Sequence, residues 1–299
     1  DFEQAIAWQA SCMHIRDKEV SRMNSTLILK RALARRATAS RTDASWQLTD
    51  EQWFLIADLL EPPPPSSAGG RPWTNSRACL EGILWVLRTG ARWKDLPKSF
   101  PSPSSCWRRL KLWTESGLFT KAWERALRKL DSLQGVDWEQ AMADATFPGE
   151  KGGDGVGPTK KGKGTKIMVL VDGDGVPLAV DVANGSTAEV KLIESLLEQR
   201  VHPRLPQRLI YDRAADCDGL RQRLARRGIE LISPHRRGRK RPVTQDGRAL
   251  RRYRHRWKIE RTISWLQNYR RLVTRYEVHV HLFLGFAQLA ALLTTFKRL

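Results

Sequence analysis

Residues 166–182 read KIMVLVDGDGVPLAVDV and contain two apolar, strand-like runs on either side of a turn signal. The segment between the runs, Asp172-Gly173-Asp174-Gly175, is typical of a tight connection between antiparallel strands, because Asp and Gly tolerate the backbone angles of such turns. We therefore predict strands over 166–171 and 176–182 that pair as a hairpin.

Strand-like and helical patterns continue on both sides of this hairpin. A short strand-like run over 142–147 precedes it. After it we predict a helix over 186–201, a strand over 208–211, a helix over 216–227, a strand over 229–232 and a final long helix from Ala249 to about Arg270. A three-strand meander followed by alternating helices and strands predicts an α/β (α+β mixed sheet) architecture, the order expected of a ribonuclease-H-like fold.

The charge balance predicts a polyanionic partner. The 299 residues include 52 Lys and Arg against 32 Asp and Glu, giving a formal net charge of +20. Nucleic acid is the commonest such partner, and an anionic membrane surface is the alternative. The four cysteines lack the spacing of a zinc site or a disulfide framework. No apolar stretch is long enough to span a bilayer, so we expect a cytoplasmic protein without a membrane partner.

The region before the sheet has a different pattern. From Trp46 to Gln134, apolar residues recur at helical spacing, and most of the tryptophans occur there. We predict a small all-helical domain with these tryptophans in its core, and a Pro, Ser and Gly linker over 62–70 inside it. The predicted organisation is an N-terminal extension over 1–45, a helical DNA-binding or assembly domain over 46–134 and the ribonuclease-H-like domain over 135–299.

Three acidic residues occupy positions where catalytic sites form in such sheets. Asp144 lies inside the first predicted strand, where a buried carboxylate is costly without a cation. Asp212 follows the strand over 208–211, and the carboxyl ends of strands are where catalytic side chains gather. Glu260 lies in the predicted last helix, on one face with Tyr253 and Arg256.

Clustered carboxylates predict a site for two Mg²⁺ ions, which Mn²⁺ could replace, because these hard cations prefer oxygen ligands. Such a pair serves phosphodiester chemistry. The alternative is structural: Asp144 caps a strand, Asp212 makes a turn with Arg213, and Glu260 pairs with Arg256 at the surface. The occurrence of all three acids in the matching elements of one fold favours the metal site.

Several motifs carry a family resemblance. They are Leu48-Thr49-Asp50-Glu51-Gln52-Trp53, Ala91-Arg92-Trp93-Lys94-Asp95-Leu96-Pro97, Ala143-Asp144-Ala145-Thr146, Lys161-Gly162-Lys163-Gly164-Thr165-Lys166, Ile210-Tyr211-Asp212-Arg213-Ala214 and 253–262, YRHRWKIERT. Together they resemble bacterial insertion-sequence DDE transposases of the insertion-sequence-five group. The resemblance covers roughly residues 46–299 and implies that Asp144, Asp212 and Glu260 are the catalytic acids and metal ligands.

The sequence departs from the family pattern at two positions. The family signature YxxRxxxExxxxxxK is matched by Tyr253, Arg256 and Glu260, but Gln267 stands where the wider pattern has Lys. Arg270 or Arg271 would take over that contact to the DNA end. Many relatives also have an aromatic residue where this chain has Ala215. Neither departure removes a metal ligand.

Basic segments lie beside the predicted catalytic residues. Between His235 and Lys258 basic residues far outnumber Asp246, the only acid of that stretch, and a Gly- and Lys-rich loop follows the first strand. Solvated charge is the alternative interpretation of these runs. The predicted DNA contacts are Lys161, Lys163, Lys166, Arg236, Arg237, Arg239, Lys240, Arg241, Tyr253, Arg256, Arg270 and Arg271.

The resemblance implies an enzyme that binds the terminal inverted repeats of its insertion sequence, cleaves DNA with Mg²⁺-activated water and transfers the 3′-hydroxyl ends to target DNA. Its partner would be double-stranded DNA, at the element ends and at the target, in the bacterial nucleoid. Joining two ends implies a homodimer or a larger assembly. Two alternatives stay open: a catalytically silent or domesticated DNA-binding protein, and a metal-dependent nuclease of the same fold.

Overall fold

The computed structural model describes residues 47–61, 73–159 and 162–299. The extension predicted over 1–45, the linker predicted over 62–70 and the predicted DNA contact Lys161 lie outside the described residues.

Before the sheet, the described chain is helical. The helices are α1 (Asp50–Phe54), α2 (Ala57–Leu60), α3 (Ser76–Thr89), α4 (Pro103–Glu115) and α5 (Leu118–Ser132). The Asn75 side chain caps α3 by accepting a hydrogen bond from the N–H of Ala78, which satisfies one of the free donors of the first turn. The core prediction for the tryptophans holds for Trp53, Trp113 and Trp123, whereas Trp73 and Trp107 are exposed.

From residue 140 onward the predicted strands and helices occur in the predicted order, with the short strands β2, β3 and β8 in addition. The strands are β1 (Gln140–Thr146), β2 (Gly149–Glu150), β3 (Gly157–Thr159), β4 (Gly162–Asp172), β5 (Pro177–Asn184), β6 (Arg208–Ile210), β7 (Glu230–Ile232) and β8 (Thr274–Arg275). Helix α6 (Glu189–Glu198) connects β5 to β6, and α7 (Asp218–Arg226) connects β6 to β7. The predicted hairpin is confirmed, because β4 and β5 pair antiparallel across the turn after Asp172.

The main sheet has the order β5-β4-β1-β6-β7, with β3 paired to the beginning of β4. Strand β4 is antiparallel to β1 and β5, whereas β6 and β7 run parallel to β1. A central first strand with an antiparallel meander on one side and parallel strands on the other is the ribonuclease-H-like arrangement. This order confirms the predicted fold class.

The C-terminal region differs from the prediction of one final helix from Ala249 to about Arg270. The chain instead forms α8 (Gly247–Leu250), a 3₁₀ segment (Arg251–Arg256), α9 (Trp257–Gln267) and α10 (Arg270–Val273). Adjacent basic side chains in the 3₁₀ segment repel one another at helical spacing, and the buried apolar stripe begins only at Ile259. The α-helical region that bears Glu260 is therefore short.

The last helix, α11 (Val280–Phe296), lies beyond the predicted end of helical structure. It packs against α4, α5 and β5, so it is buried between the helical region and the sheet. Most residues on every side of α11 are themselves apolar and buried. Its sequence therefore lacks the amphipathic pattern from which a helix is predicted. In the described parts of the chain, no helix combines the length and apolar character needed to cross a membrane.

Candidate active site

Two of the predicted acids lie side by side where parallel strands end. Strands β1 and β6 pair in a register that matches Met142 with Ile210. Asp144 and Asp212 each follow that matched pair by two residues, so both carboxylates lie at the same edge of the sheet. Asp212 has a further local role, because its side chain accepts a hydrogen bond of 2.7 Å from the N–H of Ala214 and caps the 3₁₀ turn that follows.

Arg256 links the third predicted acid, Glu260, to Asp144. Nη2 of Arg256 lies 2.5 Å from Oδ2 of Asp144, and Nη1 of the same guanidinium lies 3.2 Å from Oε1 of Glu260. The side chains of Arg256 and Asp144 are 19% and 17% exposed, whereas that of Glu260 is 60% exposed. The structure thus brings the three predicted acids and Arg256 into one neighbourhood, with the arginine between two of the carboxylates.

The carboxyl group of Asp144 lies in an environment that disfavours its negative charge. Burial raises its pKa, the guanidinium of Arg256 lowers it, and the negative charges of Asp212 and Glu189 raise it further; the net direction is upward. A cation added near Asp144 would oppose this shift by stabilising the ionised form.

The donor set fits a hard divalent cation. Asp144, Asp212 and Glu260 offer only oxygen atoms, and burial, the main cause of the raised pKa of Asp144, is a cost that a bound cation would offset. Among the residues that the structure describes, no three His, Cys, Asp or Glu side chains are grouped closely enough to hold a metal ion. The fit therefore rests on the donor chemistry and on the burial of the Asp144 carboxyl group.

The sequence analysis did not single out Glu189. This residue begins α6, and its carboxylate accepts a hydrogen bond of 2.8 Å from the hydroxyl of Tyr211, the residue directly before Asp212. A Glu in the first turn of a helix is so common that the sequence carries no signal for this contact.

Two residues predicted to contact DNA are buried in internal ion pairs, which corrects their assignment as surface contacts. Lys166 is 4% exposed, and its ammonium contacts the carbonyl oxygen of Thr187 and the carboxylate of Glu189. Arg271 is also 4% exposed and pairs with Glu277 at 2.6 Å. Buried cations require such partners, so neither side chain is presented to a phosphate.

The basic segment after β7 folds against α7. Arg236 donates hydrogen bonds to the carbonyl oxygens of Arg213 and Ala214, in the turn that follows Asp212. Arg239 pairs with Asp218 at 2.8 Å, and Arg241 contacts the same carboxylate at 3.3 Å. This packing brings the basic segment next to the edge that carries Asp212.

Asp216 anchors the same segment. Although burial raises its pKa, hydrogen bonds from the backbone N–H of Arg236 and from the side chains of His235 and Arg221 hold the pKa well below its usual range. The segment is therefore tied to the domain by an ionised carboxylate.

The other predicted DNA contacts remain at or near the surface. Lys163, Arg237, Lys240 and Arg270 are exposed, and Tyr253 is half-buried. Gln267, where the family signature has Lys, donates a hydrogen bond of 3.0 Å to the hydroxyl of Thr146 at the end of β1.

Two family descriptions match the chain. “Putative transposase of IS4/5 family” matches residues 48–123, in the helical region, and “Transposase DDE domain” matches residues 141–294. The second match includes Asp144, Asp212 and Glu260.

The chain is also similar to two curated proteins and, more distantly, to a solved structure. “Insertion element IS402 uncharacterized 16.2 kDa protein” of Burkholderia cepacia is 41% identical over 103 residues, which are 33% of this chain and 70% of the relative. “Putative transposase for insertion sequence element IS402” of the same organism is 31% identical over 154 residues, 48% of this chain and 69% of the relative. The piggyBac transposase synaptic complex with hairpin DNA resembles 84% of this chain and 72% of its own, with a TM-score of 0.49 and 11% identity.

Proposed function

The chain belongs to the DDE transposase family, and from that premise we propose that it binds the terminal inverted repeats of its insertion sequence, cleaves DNA with water as the nucleophile and transfers the 3′-hydroxyl ends to target DNA. The reaction would depend on Mg²⁺ and take place on the bacterial chromosome, in the cytoplasm. The observation that carries this proposal is the position of Asp144 and Asp212, each two residues beyond the paired Met142 and Ile210, with Arg256 linking Asp144 to Glu260.

We assign the acids distinct tasks. Asp144 and Asp212 would hold the metal ions from the rigid strand ends, and Glu260 would complete the set from α9, where its greater exposure leaves it free to move. Two Mg²⁺ ions, or Mn²⁺ in their place, supply activation of the attacking oxygen and stabilisation of the departing oxygen. Arg256 and Tyr253 would position the DNA backbone.

The exposed basic residues near the site would bind the DNA backbone. Counterion release makes such contacts strong and dependent on salt, and the net charge of +20 supports a broad contact. Without the buried Lys166 and Arg271, the proposed contact residues are the exposed Lys163, Arg236, Arg237, Lys240, Arg241 and Arg270 and the partly buried Arg239, Tyr253 and Arg256. The joining of two element ends would require a homodimer or a larger assembly.

The test uses purified protein, Mg²⁺ and a labelled duplex that carries the inverted repeats flanking its gene. Asp212→Asn is the informative variant, because the amide oxygen can still cap the 3₁₀ turn while the negative charge is lost. Glu139→Gln is the matched control, since the Glu139 side chain is 71% exposed. Joined products from wild type and Glu139→Gln, but none from Asp212→Asn, are expected.

Two other results would contradict the proposal. Specific binding of the ends without Mg²⁺-dependent cleavage by the wild-type protein would favour a DNA-binding protein that has lost the chemistry. Cleavage without joined products would favour a metal-dependent nuclease of the same fold.

A further inference from the structure

Behind the paired strand ends, Glu189, Tyr211 and Lys166 form a connected polar cluster. The Tyr211 ring is fully buried, and its hydroxyl donates a hydrogen bond of 2.8 Å to Oε2 of Glu189. Nζ of Lys166 lies 3.4 Å from Oε1 of the same carboxylate. One carboxylate on α6 therefore connects residues from β4 and from the end of β6.

The cluster lies close to the catalytic acids. Tyr211 directly precedes Asp212. A contact that fixes the Tyr211 side chain therefore also restrains the backbone that carries the Asp212 carboxylate. Lys166 stands on β4 directly before Ile167, which pairs with Thr146 at the end of β1, two residues after Asp144. Glu189 is thus tied to the strands on both sides of β1, the strand that carries Asp144.

Stability alone gives a weak reason for this arrangement. The side chains of Glu189 and Lys166 are 18% and 4% exposed, and the desolvation of such a pair offsets much of its Coulomb attraction. Apolar residues of similar volume would serve the packing about equally well. The cluster instead holds Tyr211, the residue directly before Asp212, and outer partners that hold a proposed ligand in place commonly support metal sites.

We propose that Glu189 is a positioning residue of the active site, which fixes the Asp212 backbone through Tyr211 and adds a fourth negative charge beside Asp144 that strengthens divalent cation binding. Lys166 limits the cost of this charge by pairing with it. Glu189 touches neither DNA nor a reacting atom in this scheme. The inference rests on the proposed function, because it assumes that Asp144 and Asp212 hold the metal.

The experiment measures Mn²⁺ binding to the full chain by calorimetry and by electron paramagnetic resonance of free Mn²⁺, without DNA. Glu189→Gln keeps an acceptor for the Tyr211 hydroxyl and removes the charge, whereas Tyr211→Phe keeps the charge and removes the hydroxyl. Changes to outer partners typically weaken metal binding about 10-fold to 100-fold, so we expect at least about 10-fold weaker binding for Glu189→Gln. Tyr211→Phe is expected to weaken binding less.

The matched control is Glu194→Gln on the same helix, because that carboxylate pairs with Arg223 at the surface, away from the cluster. It should bind Mn²⁺ as the wild type does. Wild-type affinity in both Glu189→Gln and Tyr211→Phe would overturn the role of Glu189 and leave the metal site intact. An absence of Mn²⁺ binding in the wild type, or wild-type binding by Asp144→Asn, would overturn the metal site itself and this inference with it.

Discussion

Arg256 donates a hydrogen bond of 2.5 Å to Asp144, across 112 residues of sequence. The same guanidinium contacts Glu260 one helical turn further along the chain. One side chain thus supplies positive charge to two acids that the proposed function assigns to metal ions. The arginine and the metal ions would therefore stabilise the same carboxylates.

Arg256→Ala is expected to lower the free energy of unfolding by about 2 kcal/mol without divalent cations, because it leaves the mostly buried Asp144 unpaired. Divalent cations should restore part of this loss, since a bound cation stabilises the folded state. Thermal denaturation with and without Mg²⁺ measures both effects. The Mg²⁺-induced rise in Tm should be larger in Arg256→Ala than in the wild type.

The exposed neighbour Arg254 gives the control for this prediction. Arg254→Ala should leave both the stability and the response to Mg²⁺ near the wild-type values, because surface substitutions usually change stability by less than about 0.5 kcal/mol. Equal Mg²⁺ responses in wild type and Arg256→Ala would contradict the idea that arginine and cation serve the same carboxylates.

Arg270 and Arg271 are adjacent in sequence, but only the substitution of Arg271 is expected to lower the stability of the fold. Arg271 is buried against Glu277 and also donates to the carbonyl oxygen of Ala91, so Arg271→Ala should cost about 3–5 kcal/mol of stability. Arg270 is exposed, so Arg270→Ala should leave the unfolding midpoint unchanged. Urea denaturation compares the two.

For DNA binding, Arg270 is the residue of this pair whose substitution is expected to have an effect. Arg270→Ala should weaken binding and reduce the slope of log affinity against log salt by about 1, as expected for the loss of one phosphate contact. Binding titrations at several salt concentrations measure this slope. An unchanged slope would remove Arg270 from the proposed contact surface.

The sheet and the position of Asp212 after a strand could be predicted because their signals are local. The strand over 208–211 ends at Asp212, and the turn after Asp172 joins two apolar runs, so composition and spacing suffice. Glu260 was predicted from the helical face that it shares with Arg256. These features depend on residues within a few positions of one another.

The features that sequence could not predict depend on distant partners. Lys166 is predicted as a DNA contact because it follows a Gly- and Lys-rich stretch, and only the folded chain brings Glu189 to it. Helix α11 was missed because its sides are covered by elements far apart in sequence, so it lacks a polar face. The hydrogen bond from Arg256 to Asp144 could not be predicted for the same reason, because the two residues are 112 positions apart in sequence.

Asp172 is expected to make the stability depend on pH. Burial raises its pKa to about 7, although hydrogen bonds from the N–H groups of Asp137 and Val176 oppose the shift. The folded chain therefore keeps a proton that the unfolded chain releases, and stability falls as the pH rises from about 4 to about 7. The slope from this group approaches about 1.4 kcal/mol per pH unit.

Asp172→Asn should remove this slope while it imposes a constant cost, because the amide group cannot accept all the hydrogen bonds of the carboxylate. Urea denaturation from about pH 4.5 to about pH 7.5 measures the difference between variant and wild type. Stability curves that run parallel across this range would show that Asp172 is ionised throughout.

Gly285 is expected to be required where α11 crosses α4. A Cβ atom at this position would meet the Oγ1 atom of Thr114 at less than contact distance. Alanine favours helix over glycine by about 1 kcal/mol, whereas overpacking costs about 1–3 kcal/mol, so Gly285→Ala should give a net loss if the contact cannot relax. Calorimetric unfolding measures this loss.

A double-mutant cycle identifies the cause. Thr114→Ala removes the atom that the new methyl group meets, so the combination of Thr114→Ala with Gly285→Ala should recover most of the stability lost by Gly285→Ala alone. Gly247→Ala is the control, because its added Cβ meets no atom within 4 Å. A cycle without coupling would mean that α4 and α11 do not pack closely at Thr114. The burial of α11 between the helical region and the sheet would then need another explanation.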